Sequence, residues 1–245
     1  DADKLLGFLA EMEFRTLSKR VAEVLGKEAP VIEEPKVDEN GPEMAEVPFD
    51  QAGYEQVSDA KTLQAWIDRI YEFGYVAVDT ETTGLDEMVA DLVGISLCVE
   101  PGKACYIPLI HKTHSADDLF GSDDLAEGQM QTEEALRMLT PMLTDPSIIK
   151  IGQNMKYDSK IFAQVGIAVA PIDDTMLMSY VMHAGLHGHG MDTLSERYLG
   201  HTPIPIKPLL GSGKSAITFD KVPLADAVPY AAEDADITLR LWQLF

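Results

Sequence analysis

The chain has 245 residues, 46% of them apolar, enough for one sizeable core and an appendage. A net charge of −22 argues against the broad basic footprint that grips a long duplex by its phosphates, though not against holding a few nucleotides through metal ions. Cys98 and Cys105 lack C-x-x-C spacing, which argues against a zinc frame or disulfide scaffold and fits a reducing compartment.

In chain order, residues 3–26 read as one amphipathic helix. Leu5, Leu6, Leu9, Met12, Leu17, Val21, Val24 and Leu25 fall at helical spacing, and Gly26 ends it. Acids and bases interrupt these apolar positions, so the stretch is not a signal peptide, and no later run approaches the ~18 apolar residues of a membrane span. Residues 27–59 read as an acidic flexible linker. Prolines stand at 30, 35, 42 and 48, and ten acids between 28 and 60 face a single Lys36. A compact domain is expected over 60–245, opening with a helix through Leu63, Trp66, Ile67 and Ile70.

Strands are expected at 75–80, 92–99 and 104–109, with Pro101-Gly102 turning the second into the third. Residues 115–128 read as a polar loop. A helix follows from Thr132 to about 143, then a buried strand over 148–152 and a helix from about Asn154. Further helices are expected at 174–183 and 192–199, an irregular stretch over 201–220, and a last helix from about Leu224 to the end, kinked at Pro229. Antiparallel strands first, then helices alternating with one more strand, predict an α/β fold: a mixed sheet flanked by helices.

Asp79 and Glu81 close the apolar run Tyr75-Val76-Ala77-Val78. At i and i+2 of a strand they point to one face, and two buried carboxylates at one point call for a cation. Asp158 lies in Gly152-Gln153-Asn154-Met155-Lys156-Tyr157-Asp158, one helical turn after Asn154. Tyr230 and Asp234 are four apart on the last helix and share a face. Four acids thus come from three separated segments. A divalent cation with oxygen ligands, and phosphoryl transfer, are the chemistry this pattern points to.

This pattern resembles the DEDD superfamily of 3′–5′ exonucleases. Tyr230, with Pro229 where the histidine branch would need His, marks the DEDDy branch. Asp79-Thr80-Glu81-Thr82, the Gly152–Asp158 motif, Met191-Asp192-Thr193-Leu194-Ser195-Glu196-Arg197 and Tyr230-Ala231-Ala232-Glu233-Asp234-Ala235-Asp236 are similar to the proofreading domains of the bacterial family A polymerases. The similarity spans roughly 60–245, and residues 1–26 resemble the helical tail of an upstream 5′-nuclease domain. It implies a ribonuclease H-like fold and a fragment of a longer polymerase. The resemblance also implies two divalent ions, Mg²⁺ with Mn²⁺ able to substitute. Asp79 would be shared, Glu81 and Asp234 would complete one site, and Asp158 the other. Tyr230 would orient the attacking water; its ordinary pKa near ~10 makes it a poor base at neutral pH. Thr82, Leu85, Gln153, Asn154, Tyr157 and Phe219 would hold the terminal nucleotides, Leu85 as a wedge and Phe219 by stacking.

The implied activity is 3′–5′ removal of nucleotides from single-stranded DNA ends by a monomer in the bacterial cytoplasm, beside polymerase and 5′-nuclease domains. A ribonuclease D-like exoribonuclease shares the same acids, and a catalytically silent scaffold is the alternative from another class. Other features read as structural. Gly211-Ser212-Gly213-Lys214-Ser215 lacks the first glycine of a phosphate-binding loop, since Pro208 stands there, though Lys214 could touch DNA phosphate. His183, His187 and His189 read as loop residues, Met176, Met178 and Met182 as core filler, and Glu233 and Asp236 as structural or solvated.

Overall fold

A computed structural model describes residues 1–12, 14–30, 47–113, 124–213 and 216–245. They fall into two units, one within Asp1–Glu43 and one within Met44–Phe245. In the first, the expected single helix is two: α1 (Ala2–Glu11) and α2 (Arg15–Leu25). The Asp1 carboxylate caps α1 by accepting from the Asp3 and Lys4 amides at 3.1 and 3.4 Å, and Gly26 ends α2 at φ 63°. The physical reason for the break is burial. A lone amphipathic helix has nothing to cover its apolar stripe, whereas two helices packed together bury Leu6 and Leu9 with Ser18 and Ala22.

The second unit is built on one six-stranded sheet in the order β1-β4-β3-β2-β5-β6. Its strands are β1 (Glu55–Gln56), β2 (Tyr75–Thr82), β3 (Leu92–Glu100), β4 (Lys103–Pro108), β5 (Ile149–Gly152) and β6 (Ile172–Asp174). The β2–β3 and β3–β4 pairs are antiparallel; β1–β4, β2–β5 and β5–β6 are parallel. The mixed sheet is as expected, but β1 and β6 are additions. β1 lies inside the stretch expected as linker, so the folded unit begins earlier than residue 60. Its acid Glu55 accepts from Trp66 Nε1 at 2.8 Å, and Val57 is fully buried. Two-residue strands carry no alternation to read, and the surrounding acids hid this one.

One face of the sheet carries Val76, Val78, Ile95, Leu97, Val99, Cys105 and Ile107. It packs against α3 (Ala60–Phe73), α4 (Thr132–Thr144) and α5 (Met155–Gln164) in the main core. The α3 helix starts where the Asp59 carboxylate accepts from Lys61 N and Thr62 N, and stops at Gly74 with φ 74°. The other face carries Ala77, Cys98 and Ala104 and is covered by Ala232, Ala235 and Leu239 of a later helix.

Between β6 and that helix lie α6 (Thr175–His183), α7 (Met191–Leu194) and α8 (Ile206–Leu210). The expected helix over 192–199 continues from α7 only as a π-helical turn, Ser195–Leu199, and Gly200 ends it at φ 62°. The stretch expected to be irregular holds α8 and a 3-10 turn, Phe219–Lys221. Gly211 follows α8 rather than a strand, unlike a phosphate-binding loop; Lys214 and most of the expected 115–128 loop lie outside the described residues. The long α9 (Leu224–Leu244) runs through Pro229 without ending. Met176, Met178 and Met182 are not core filler. None is buried, and α6 instead leaves Leu177, Val181 and Met182 exposed. No helix among the described residues is long and apolar enough to cross a membrane.

A buried polar hub ties α9 to the start of the unit. Asp236 accepts from Arg240 Nε at 2.8 Å, Tyr54 OH at 2.9 Å and Gly102 N at 3.0 Å. Glu233, one turn earlier, accepts from Ile204 N at 2.6 Å and pairs with His201 at 3.0 Å. Both acids are buried structural acceptors, not solvated ones. Removing the Asp236 carboxylate strands the buried Arg240 charge, so Asp236→Ala is expected to lower stability by about 3–5 kcal/mol. Urea denaturation checks this; a loss below about 1 kcal/mol, the surface-pair range, contradicts it.

Candidate active site

Strand alternation sets the site. Odd positions of β2 face α9, so Asp79 and Glu81 follow Ala77 onto that face, opposite Ser96 and Gly94 of β3. There α9 brings in Asp234. Ligand oxygens of Asp79, Glu81 and Asp234 all lie within 4.8 Å of one another. Among the described residues no other group of histidine, cysteine and acids meets that criterion. The three histidines instead join a ring cluster: His189 bonds Ser179 Oγ at 2.8 Å and stacks on Tyr180, and His187 Nε2 bonds Tyr198 OH at 2.9 Å.

Asp158 arrives from the other side. β5 pairs with β2 only from Tyr75 to Ala77, so the edge of β2 beyond that point is open to α5. Asp158 Oδ1 accepts from Thr80 N at 3.1 Å and Thr80 Oγ1 at 2.5 Å. The start of α5 is fixed by Asp174, whose carboxylate accepts from Asn154 N at 3.1 Å and Met155 N at 2.9 Å and also caps α6. Asn154 itself sits in the left-handed region at φ 66°. Neither Thr80 nor Asp174 was read from sequence as part of the site. Their work is backbone clamping, which leaves no spacing signature.

The electrostatics are those of a cluster short of positive charge. Burial, then Asp158, Glu81 and Asp234, hold the Asp79 carboxyl well above its ordinary value, and burial with Asp234 and Asp158 does the same to Glu81. Burial raises Asp234 to about 8 despite a hydrogen bond from Tyr230, and raises Asp158 to about 6 despite its Thr80 bonds. The Tyr230 hydroxyl is pushed far up by burial and by Asp234, Glu81 and Asp79, so it stays protonated. Glu81 Oε1 is buried with no hydrogen-bond partner. An all-carboxylate donor set with an orphaned oxygen fits a hard divalent cation.

The residues expected to hold nucleotides divide into two sets. At the end of β2, Tyr157 OH donates to Gly84 O at 2.6 Å, and Thr82 Oγ1 lies 2.6 Å from Tyr157 OH and 2.8 Å from Gly84 O, to one of which it donates. These bonds brace a turn that presents Leu85 almost fully to solvent, 95% exposed. Asn154 is exposed too. Gln153 and Phe219 are not presented. Gln153 is buried, donating to His189 O at 2.8 Å and accepting from Thr175 Oγ1 at 2.5 Å. Phe219, 3% exposed, packs under the Tyr230 ring at 5.8 Å, so it has no free face for a base.

A mixed sheet of this order, with a carboxylate cluster on its central strand, is a ribonuclease H-like fold. Solved structures share it: Escherichia coli RNase D has a TM-score of 0.55 at 20% identity over 77% of this chain and 43% of that one. The POL domain of Pol1 from M. smegmatis has 0.52 at 19% identity, over 76% and 26%. These likenesses concern the fold. The 3′-5′ exonuclease family model matches residues 54–245, and the chain belongs to that family. DNA polymerase I of Rhizobium leguminosarum is 40% identical over 98% of this chain and 30% of its own length. DNA polymerase I of Pseudomonas aeruginosa is 39% identical over 84% and 22%. The chain thus spans about a third or less of the length of these relatives.

The pKa shifts give a signed prediction. Asp234 ionises at its ordinary 3.8 when unfolded and at about 8 when folded. Between those values the folded state holds a proton the unfolded state has lost, so metal-free stability falls as pH rises. Asp158, at about 6, adds to the lower part of that window. A divalent ion offsets the loss, so Mg²⁺ or Mn²⁺ is expected to raise the melting temperature more at pH 8 than at pH 5. Differential scanning fluorimetry with and without EDTA measures it; an equal or larger gain at pH 5 contradicts the assignment.

Proposed function

We propose that the chain is the proofreading module of a longer DNA polymerase and removes nucleotides from single-stranded DNA 3′ ends. The observation that carries this is the Asp79–Glu81–Asp234 triad, with Glu81 buried and the other two half-buried, and its unpartnered Glu81 oxygen, flanked by Asp158 and Tyr230. Asp79, Glu81 and Asp234 would hold one divalent ion, and Asp79 with Asp158 a second; Mg²⁺ suits the oxygen donors, and Mn²⁺ would substitute. When bound, such ions supply an acidified water and neutralise charge at the scissile phosphate.

The protein's own groups supply position. Tyr230 stays protonated and bonded to Asp234, so its hydroxyl aims the attacking water rather than removing its proton. Thr80 fixes Asp158 across the open edge of β2. The Thr82–Gly84–Tyr157 brace holds Leu85 out, where it would wedge against the terminal base, and Asn154, whose carbonyl accepts from Tyr157 N, would meet the nucleotide. Gln153 and Phe219 serve from beneath, as supports. Stacking and wedging of this kind tolerate any base.

Nothing in the carboxylates reads a 2′-hydroxyl, so they leave the ribonuclease D-like reading open on chemistry alone. The DNA polymerase I relatives favour DNA. Their greater length supports polymerase and 5′-nuclease domains in the full protein, and the 98% alignment supports residues 1–26 as the end of the latter. We place the protein in the bacterial cytoplasm, as a monomer.

Incubation with 5′-labelled single-stranded DNA and Mg²⁺ tests the reading. A ladder shortening from the 3′ end, absent with EDTA and in Asp158→Ala, is expected; blunt duplex digested as fast, or RNA preferred over DNA, contradicts it. Tyr230→Phe keeps the ring over Phe219 and loses the hydroxyl, so kcat is expected to fall about a hundredfold or more with KM little changed. An unchanged kcat removes Tyr230 from the mechanism.

A further inference from the structure

Beneath the triad lies a buried polar chain that the reaction does not use directly. Tyr106 of β4 and His111 are both fully buried. Tyr106 is the cross-strand neighbour of Ser96, which is in turn opposite Asp79, so its ring leans on the α9 face. Its hydroxyl lies over Gly94. A Cβ on Gly94 would sit 2.2 Å from the Tyr106 oxygen, so the glycine is there to admit it. Gly94 is the direct antiparallel partner of Glu81. Directly opposed side chains are about 5 Å apart at Cβ, so the Tyr106 hydroxyl fills the position next to the Glu81 carboxylate.

A tyrosine hydroxyl beside a carboxylate would ordinarily donate to it, yet Glu81 Oε1 has no partner. The Tyr106 proton is committed elsewhere. His111 Nδ1 lies 3.0 Å from Val222 O, and His111 Nε2 lies 2.8 Å from Tyr106 OH. A carbonyl oxygen only accepts, so Nδ1 must carry the proton. In a neutral imidazole Nε2 is then the acceptor, and the Tyr106 hydroxyl donates to it. Burial holds the His111 pKa below its ordinary value and favours that neutral form. The His111 backbone that carries the ring is fixed: His111 N donates to Gln129 Oε1, and Gln129 Nε2 and Ala126 N donate to His111 O, each at 2.8 Å. Its ring also meets Phe219 edge to face, and Phe219 supports Tyr230.

We propose that His111 is a positioning residue that turns the Tyr106 hydroxyl proton away from Glu81, leaving that carboxylate free to take a divalent cation. The inference rests on reading the triad as a cation site. Without His111 the hydroxyl turns to Glu81, and a cation must break a charge-assisted hydrogen bond to bind.

Calorimetric Mn²⁺ titration of the whole chain without DNA tests it. His111→Leu is expected to weaken Mn²⁺ binding about tenfold or more, since hydrogen bonds to charged groups are of that worth. Tyr106→Phe and the Tyr106→Phe/His111→Leu double variant should both bind within about threefold of the unaltered chain, because neither has a hydroxyl to turn. A double variant as weak as His111→Leu, or a His111→Leu that binds normally, overturns the proposal. If His111→Leu does not fold, ¹⁵N-histidine spectra of the unaltered chain decide: a proton on His111 Nδ1 supports the lock, and one on Nε2 overturns it. No Mn²⁺ binding by the unaltered chain would instead overturn the cation site itself.

Discussion

The structure turns on one unfavourable arrangement: three carboxylates held together on the covered face of a central strand. Asp79, Glu81 and Asp234 repel one another and lose hydration, and their raised pKa values record that cost. Folding keeps them together because each belongs to an element committed elsewhere. β2 is hydrogen-bonded on both sides and packed on its other face by the main core, and α9 is buried along most of its length. The sheet does not gain from the triad. It is rigid enough to hold it, and proteins carry such costs at functional sites.

Two buried polar systems in α9 show the contrast. Asp236 and Glu233 are fully satisfied, by Arg240, Tyr54 and Gly102 in one case and by His201 and Ile204 in the other. Asp234, between them in sequence, is part of the triad and takes a hydrogen bond from Tyr230. Neighbours on one helix thus separate into structural acids and an acid of the candidate site by the direction they face. The 3.6-residue period puts Asp234 on the strip with Tyr230, and Glu233 and Asp236 off it.

Most of the site was legible because it depends on periodicity. Asp79 and Glu81 share a face by strand alternation, Tyr230 and Asp234 by helical spacing, and the apolar runs around them mark buried elements. What was not legible depends on contacts between distant segments. Thr80 holds Asp158 through its amide and hydroxyl, Asp174 holds the start of α5 through the Asn154 and Met155 amides, and Tyr106 reaches past Gly94 to His111; no local pattern announces any of these. Phe219 and Gln153 were assigned to the nucleotide by resemblance, whereas burial turns both inward. The fold shows the same division. The long strands and the helices α3, α4 and α9 follow from their apolar spacing, but β1 and β6 are too short to alternate. The break between α1 and α2 answers to packing, with neither proline nor glycine to mark it.

As proposed, this cluster holds protons near neutral pH that a divalent cation displaces. Proton release on Mg²⁺ binding measures it directly, by titration calorimetry in buffers of different ionisation enthalpy. With Asp234 near 8 and Asp79 and Glu81 also raised, about one proton or more should leave per protein at pH 7, with fewer at pH 9. Mg²⁺ binding at pH 7 with no proton released would mean that the carboxylates are already ionised, and the account of the site would fail.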